Sequence, residues 1–208
     1  MSQIKTLLLD VGQVLVTLDY QAPFRQIMRY TNLSVADLQA RWRSSGLTLL
    51  GDTGRLSTRE LYDAVRALFQ VKDLGLETFK REWATIFVLP GPEGQCVSPG
   101  LFRRLKRRHR LVAVSNTNEL HWEYLETVLP LLKEFDDLVL SYRVGAMKPD
   151  LLIYRVALER AACRPDEALF VDDLELNIEA AARLGIRGLI YRNEIQFEED
   201  LTRLGLLD

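Results

Sequence analysis

Cysteine and histidine are scarce in this chain of 208 residues, with 2 of each. Cys96 and Cys163 do not form a Cys-x-x-Cys pair, so neither a disulfide framework nor a thiolate zinc site is predicted, and a reducing cytoplasm is the expected compartment. Long apolar runs are also missing. The stretch between Lys5 and Asp10 is too short for the apolar segment of a signal peptide, and no run approaches the roughly 20 residues that cross a bilayer. Neither export nor a membrane partner is expected, so the Asn32-Leu33-Ser34 glycosylation pattern carries no weight. No Gly-x-Gly-x-x-Gly turn follows the first apolar run, which argues against a dinucleotide site. The formal charge of -2 offers no global attraction to nucleic acid. Repeats and low-complexity segments are absent.

Core-forming residues are plentiful: 48% of the chain is hydrophobic, ample for a large domain. Five short apolar runs read as strands: Thr6 to Asp10, Leu111 to Ser115, Leu138 to Ser141, Ala168 to Asp172 and Gly188 to Tyr191. They are apolar throughout and alternate with helical patterns such as Leu151 to Ala162 and Leu174 to Leu184, with Pro149 placed where a first helical turn tolerates it. That combination indicates a parallel sheet covered on both faces, an α/β doubly wound, Rossmann-like fold.

About ninety residues separate the first two strand candidates, far more than an ordinary crossover. The excess reads as helical: Tyr20 to Tyr30, a segment N-capped by Ser34, a segment opened by a Ser57/Glu60 capping box, and Leu76 to Phe87. Gly51, Gly54 and Pro90 to Gly94 supply turns. The expected organisation is a discontinuous core, residues 1–18 and 91–208, with a helical cap over 19–90. The basic run Arg103 to Arg110 contains Leu105 and follows Leu101 and Phe102, which gives it an apolar helical side. It reads as a solvated helix face, and no nucleic-acid partner is expected.

Polar residues gather where the strands end. Asp10, Ser115 with Asn116, Ser141 ahead of Lys148, and Asp172 with Asp173 all fall at carboxyl ends, where doubly wound sheets bind ligands. Three carboxylates, a lysine and several hydroxyl or amide groups suit a divalent cation and a phosphoryl group. A hard cation takes oxygen ligands from carboxylates and phosphate, a carboxylate can act as a covalent nucleophile, and a lysine offsets the charge of an approaching phosphate. A buried Asp10 makes sense in such company.

The segments "LLLDVGQVLV", "VAVSNTNELH", "VGAMKPDLLIY" and "LFVDDLELNIEAA" resemble, in order, the four motifs of the haloacid dehalogenase superfamily, and the helical insertion lies where that family carries a small cap. Details of "SNTNELH" and "MKPDLLIY" resemble the branch that includes glucose-1-phosphate phosphatase. The resemblance implies a magnesium-dependent phosphoric monoester hydrolase acting on a small phosphorylated metabolite, such as a sugar phosphate, through an aspartyl-phosphate. It implies Asp10 as nucleophile and metal ligand, Asp173 and the Gly12 carbonyl as further Mg2+ ligands, and Ser115 and Asn116 as phosphate binders. Lys148 would bridge nucleophile and phosphate, with Asp172 and Asn177 in support.

One position departs from that pattern. Most phosphatases of the superfamily carry a second Asp two residues after the nucleophile as leaving-group acid, and here Gly12 stands there. His121 is a candidate acid or substrate contact, although a lone helical histidine is more often structural. The cap is expected to select the substrate, with Arg43 and the loop Gly46 to Arg55 as candidate contacts and Trp42 and Trp83 read as core. Alternatives are a 2-haloacid dehalogenase-like hydrolase and a non-enzymatic phosphate-binding or phosphoacceptor protein. The acidic pair Asp172–Asp173 disfavours the dehalogenase, because adjacent acids repel a carboxylate substrate.

Overall fold

Leu7, Leu8 and Leu9 are all fully buried although successive side chains of a strand point to opposite faces. Both faces of that strand must therefore be covered. In the computed structural model, which describes residues 3–89 and 96–207, β1 (Thr6–Leu9) is the centre of a five-stranded sheet. Its companions are β4 (Arg110–Ser115), β5 (Asp137–Leu140), β6 (Ala168–Asp172) and β7 (Arg187–Ile190). The order is β5-β4-β1-β6-β7 and every pairing is parallel, with Leu9 beside Ala113 on one side and Val171 on the other. The α/β doubly wound arrangement read from the sequence is the fold.

On one face Leu7, Leu9, Leu111, Ala113, Leu169 and Val171 pack with residues of α6 (Pro99–Lys106), α7 (Glu119–Val128) and α11 (Glu194–Arg203). On the other, Leu8, Val112, Val114 and Phe170 meet α9 (Leu151–Ala161) and α10 (Glu175–Ala182). The chain steps from β1 outward to β4 and β5, then returns to β6 on the far side of β1. The switch point thus lies between β1 and β6, and the ends of those two strands form its crevice.

Between β1 and β4 the chain leaves through β2 (Thr17–Leu18) and comes back through β3 (Phe87–Val88), which pair antiparallel. Inside this ribbon stand α1 (Ala22–Ile27), α2 (Val35–Ser45), α3 (Leu47–Asp52), α4 (Thr58–Phe69) and α5 (Leu76–Trp83). They bury a core of their own around Phe24, Leu38, Val65, Phe69 and Phe79, joined by Leu120 of α7. Ser34 with Asp37, and Ser57 with Glu60, form reciprocal capping boxes that start α2 and α4.

Local departures from the sequence reading have local causes. The stretch around Leu47 to Asp52, read as a loop because of its glycines, is a short helix entered from left-handed Gly46. Pro149 lies outside α9, because Asp150 takes the N-cap by accepting from the Leu152 N–H. Ser141 begins the short helix α8 (Ser141–Val144) rather than ending β5. The turn expected at Pro90 to Gly94 lies outside the described residues. Around the basic run, Leu101, Phe102 and Leu105 are buried while Arg103, Arg104 and Lys106 pair with Glu134, Glu198 and Asp136.

Candidate active site

Asp10 follows β1 directly, and its N–H still donates to the Val171 carbonyl at 2.9 Å, so the sheet ladder fixes this carboxylate against the end of β6. Lys148 reaches in from the loop before α9 and places Nζ 2.8 Å from Asp10 Oδ1 and 2.7 Å from Asp172 Oδ2. Asp10 Oδ1 also accepts from the Val11 N–H at 2.6 Å. Asp172 is completely buried, and its Oδ1 accepts from the Leu174 N–H and from Asn177 Nδ2, each at 2.9 Å. Both oxygens of Asp172 are therefore engaged. Asp10 Oδ2 has no hydrogen-bond partner among the described residues.

Asp10, Asp172 and the less buried Asp173 each bring an oxygen within 4.8 Å of the others. Three carboxylates facing one ammonium leave two negative charges in surplus, which a divalent cation would cancel. Oxygen donors alone favour a hard cation such as Mg2+. The donor set thus fits the ion that the sequence implies. The electrostatics report the same imbalance: burial pushes the Asp10 carboxyl up to about 7, against the pull of Lys148 and with a push from Asp172. Asp173 is raised by burial and by Asp172. Burial works against the Lys148 ammonium, yet Asp10 and Asp172 hold it above the usual lysine range.

The loop after β4 frames the opposite side. Ser115 lines the floor of a cavity of about 440 Å³ together with Asp10, Gly12, Lys148 and Asp173. The Asn116 carboxamide clasps the backbone of Lys148, accepting from its N–H at 2.7 Å and donating to its carbonyl at 2.9 Å. That side chain is committed to positioning Lys148. Ser141 Oγ accepts from the Thr117 N–H and donates to the Thr117 carbonyl, both at 2.9 Å, and braces the loop from below. Gly12 lies against β2: a Cβ there would sit 2.9 Å from Leu18 Cδ1, the end of a flexible side chain.

The roof comes from the insertion. Trp42 and Trp83 meet edge to face at 5.0 Å with Phe24 beside both, and all three line the cavity. Arg43 is exposed and also lines it. Trp83 is buried as expected, whereas Trp42 is half-buried and shared between core and cavity.

His121 stands at the junction of floor and roof, its ring against Phe87 and its Nδ1 3.2 Å from Asn118 Nδ2. Burial lowers its pKa to about 4, with a small opposing effect from the Trp83 carbonyl. At neutral pH it is uncharged and cannot serve as a cationic acid. Asn118 and Asp52 line the cavity too, and neither is named individually from the sequence. Asn118 caps α7, which its position ahead of Glu119 and Leu120 signals, and it also donates to Asp52 at 3.0 Å. Asp52 lies in the stretch Gly46 to Arg55 that is expected to contact substrate, but nothing in the sequence singles it out there.

Comparison with known proteins agrees with this geometry. The chain is similar to D-ribitol-5-phosphate phosphatase of Bacteroides thetaiotaomicron, with 26% identity over 208 residues covering 96% of this chain and 97% of that protein. A 45% identical match to Acyl-CoA dehydrogenase family member 10 of Mus musculus spans 91 residues, 43% of this chain but 8% of that much longer protein. Among solved structures, a HAD family enzyme of Bacteroides thetaiotaomicron in complex with magnesium and inorganic phosphate superimposes with a TM-score of 0.77. It is 25% identical, and the match covers 90% of this chain and 93% of that one. Residues 4–185 match the model of the haloacid dehalogenase-like hydrolases, and the chain belongs to that family.

Proposed function

We propose that this hydrolase is a magnesium-dependent phosphatase that removes phosphate from a small organic monoester through an aspartyl-phosphate. The observation that carries the reading is the asymmetric use of the two buried carboxylates. Asp172 spends both oxygens on Lys148, Asn177 and the Leu174 N–H, while Asp10 keeps Oδ2 free beside the same lysine. One acid is structural and the other is available to react.

In this reading Asp10 attacks phosphorus, forming the Asp10 O–P bond as the ester O–P bond breaks, and water then hydrolyses the acyl phosphate to regenerate the carboxylate. Lys148 holds Asp10 in place and offsets the charge of the incoming phosphate, while Ser115 and the Asn116 N–H hold its oxygens. Asp10, Asp173 and the Gly12 carbonyl would hold Mg2+, which when bound neutralises charge on phosphate. Residues 19–90 would act as the cap, closing the cavity from water and choosing the substrate. The named phosphatase relative acts on a polyol phosphate, and glucose 1-phosphate remains a candidate from the motif wording. An anomeric leaving oxygen is less basic than an ordinary alkoxide and needs less help from an acid at position 12.

The test is phosphate release from a panel of sugar, polyol and aryl phosphates with magnesium, with a chelator, and with Asp10→Asn. Turnover lost under both controls supports the reading. Turnover that survives chelation, or no turnover of any panel member by folded protein, overturns it.

A further inference from the structure

The roof of the cavity is largely apolar, yet one carboxylate is set into it without a cation. Asp52 is partly buried, lines the cavity, and forms no ion pair among the described residues. Its Oδ1 accepts from Asn118 Nδ2, and Oδ2 has no partner among the described residues. A carboxylate in such surroundings is costly unless a ligand completes its hydrogen bonds. Burial holds its carboxyl at about 6, against the pull of Asn118.

Asp52 does not stand alone. Thr48 precedes it by four residues on α3, and Gln39 and Arg43 stand four apart on α2; all four line the cavity. Residues four apart share a helix face, so two helices each present one polar pair to the same space. The position of Asp52 is fixed from the core side. Asn118 donates to Asp52 Oδ1 and lies 3.2 Å from His121 Nδ1, while its own Oδ1 accepts from the His121 N–H. With both amide protons of Asn118 so directed, neutral His121 accepts at Nδ1 and keeps its proton on Nε2. Asn118 belongs to the loop that carries Ser115. The phosphate end and the roof end of the cavity are thus held in one frame.

We propose that Asp52, positioned by Asn118 and His121, reads a hydroxyl group of the substrate, with Gln39, Arg43 and Thr48 completing a polar ladder for a polyhydroxylated carbon chain or ring. This rests on the phosphatase reading for the orientation of the ligand, phosphate toward Lys148 and hydroxyls toward α2 and α3. A second anion is repelled by Asp52. A cationic amine is disfavoured by the Arg43 guanidinium in the same cavity, which leaves neutral hydroxyls as the matching chemistry.

The experiment compares kcat/KM for ribitol 5-phosphate, pentyl phosphate and 5-aminopentyl phosphate, molecules of equal carbon count differing in hydroxyl and amine content. The intact enzyme is expected to favour ribitol 5-phosphate over pentyl phosphate by about 100-fold or more, since a site built for hydroxyls penalises their absence. Asp52→Asn, which keeps the acceptor for Asn118, is expected to reduce that selectivity roughly 10- to 100-fold, the range for a hydrogen bond to a charged group. Asp63→Asn, on the exposed side of α4, is the control and retains the full ratio. An equal loss on ribitol and pentyl phosphates in Asp52→Asn, or a preference of the intact enzyme for the aminopentyl ester, overturns the proposal. If none of the three is hydrolysed, turnover on the wider panel of sugar and aryl phosphates decides the phosphatase reading separately. Calorimetric titration of the same compounds then decides: binding of ribitol 5-phosphate that is tighter than that of pentyl phosphate and weakened by Asp52→Asn sustains the hydroxyl site, and equal binding removes it.

Discussion

The floor and the roof of the cavity solve the problem of buried charge in opposite ways. On the floor, Lys148 is shared by Asp10 and Asp172, and the rest of Asp172 is satisfied by Asn177 and a backbone N–H. Strand register holds the carboxylates, because Asp10 and Asp172 extend from adjacent strands whose ladder runs to their backbones. On the roof, Asp52 has one amide partner and otherwise lines the cavity. The floor pairs its buried acids with a cation, and the roof does not. Chemistry common to many substrates belongs on the rigid part, and discrimination among them belongs on helices that the sheet does not constrain.

The sharpest way to break that comparison is at the proposed nucleophile. Asp10→Asn removes the attacking oxygen while keeping the shape, and is expected to lower kcat by at least ~10⁴-fold, the scale seen when a nucleophile is deleted. The fold should persist, since a neutral amide is easier to bury than a carboxylate. Retention of more than a hundredth of the activity would place the reaction elsewhere. Lys148→Met comes next in size. It leaves Asp10 and Asp172 adjacent, buried and uncompensated, and breaking a buried pair in this way costs about 3–5 kcal/mol. Urea denaturation measures the loss at neutral pH; a deficit below 1 kcal/mol would show that the floor does not depend on its cation.

The same contrast governs what could be read from the sequence. Strands buried on both faces must be continuous apolar runs, so Leu7 to Leu9, Leu111 to Val114 and Ala168 to Val171 announce themselves, and the acids that end them mark the floor. Their roles in hydrogen bonding are another matter. Residue type and spacing alone do not distinguish Asp172, fully engaged, from Asp10 with its free oxygen; only the family resemblance separates nucleophile from support, and nothing tells that Asn116 clasps Lys148. These depend on distances across 32 and 162 positions of the chain. The roof is less legible still. Helices α2 and α4 carry capping boxes and show plainly, but α3 has only six residues, includes Gly51 and starts from left-handed Gly46. Its helical form is imposed by packing rather than by propensity, so Asp52 could not be placed.

Gly54 tests how firmly α3 is seated on the core. It holds φ at +68°, and a Cβ there would approach the Tyr142 carbonyl oxygen to 2.1 Å. Gly46, at the other end of α3, holds φ at +71° with open space around it. Gly46→Ala is expected to cost about 1 kcal/mol from backbone strain alone. Gly54→Ala should cost roughly 2–4 kcal/mol, since strain is joined by collision with backbone. Thermal denaturation of the two variants compares the ends directly; equal losses would mean that α3 rides free of Tyr142 and the roof is not anchored there.

The smallest effect concerns the junction between the two regions. Burial lowers the His121 pKa to about 4, below the ordinary value near 6.5. Between those values the unfolded chain binds a proton that the folded chain refuses, so the contribution of His121 to stability is complete above pH 6.5 and is lost as the pH falls toward 4. The loss between pH 7 and pH 5.5 is about 1 kcal/mol, since one pKa unit corresponds to 1.4 kcal/mol. Asp52 has the opposite sign: its folded pKa of about 6 lies above the usual carboxylate value, so it favours the folded state at low pH and less so as pH rises toward 6. His121→Gln retains Asp52 and removes only the histidine. The difference in stability between intact protein and variant, followed by urea denaturation at both pH values, is therefore expected to move by about 1 kcal/mol in favour of the variant on acidification. Parallel profiles would mean that His121 titrates as freely in the folded chain as in the unfolded one. The ring would then lie in water rather than in the seam that joins Asn118 to the roof.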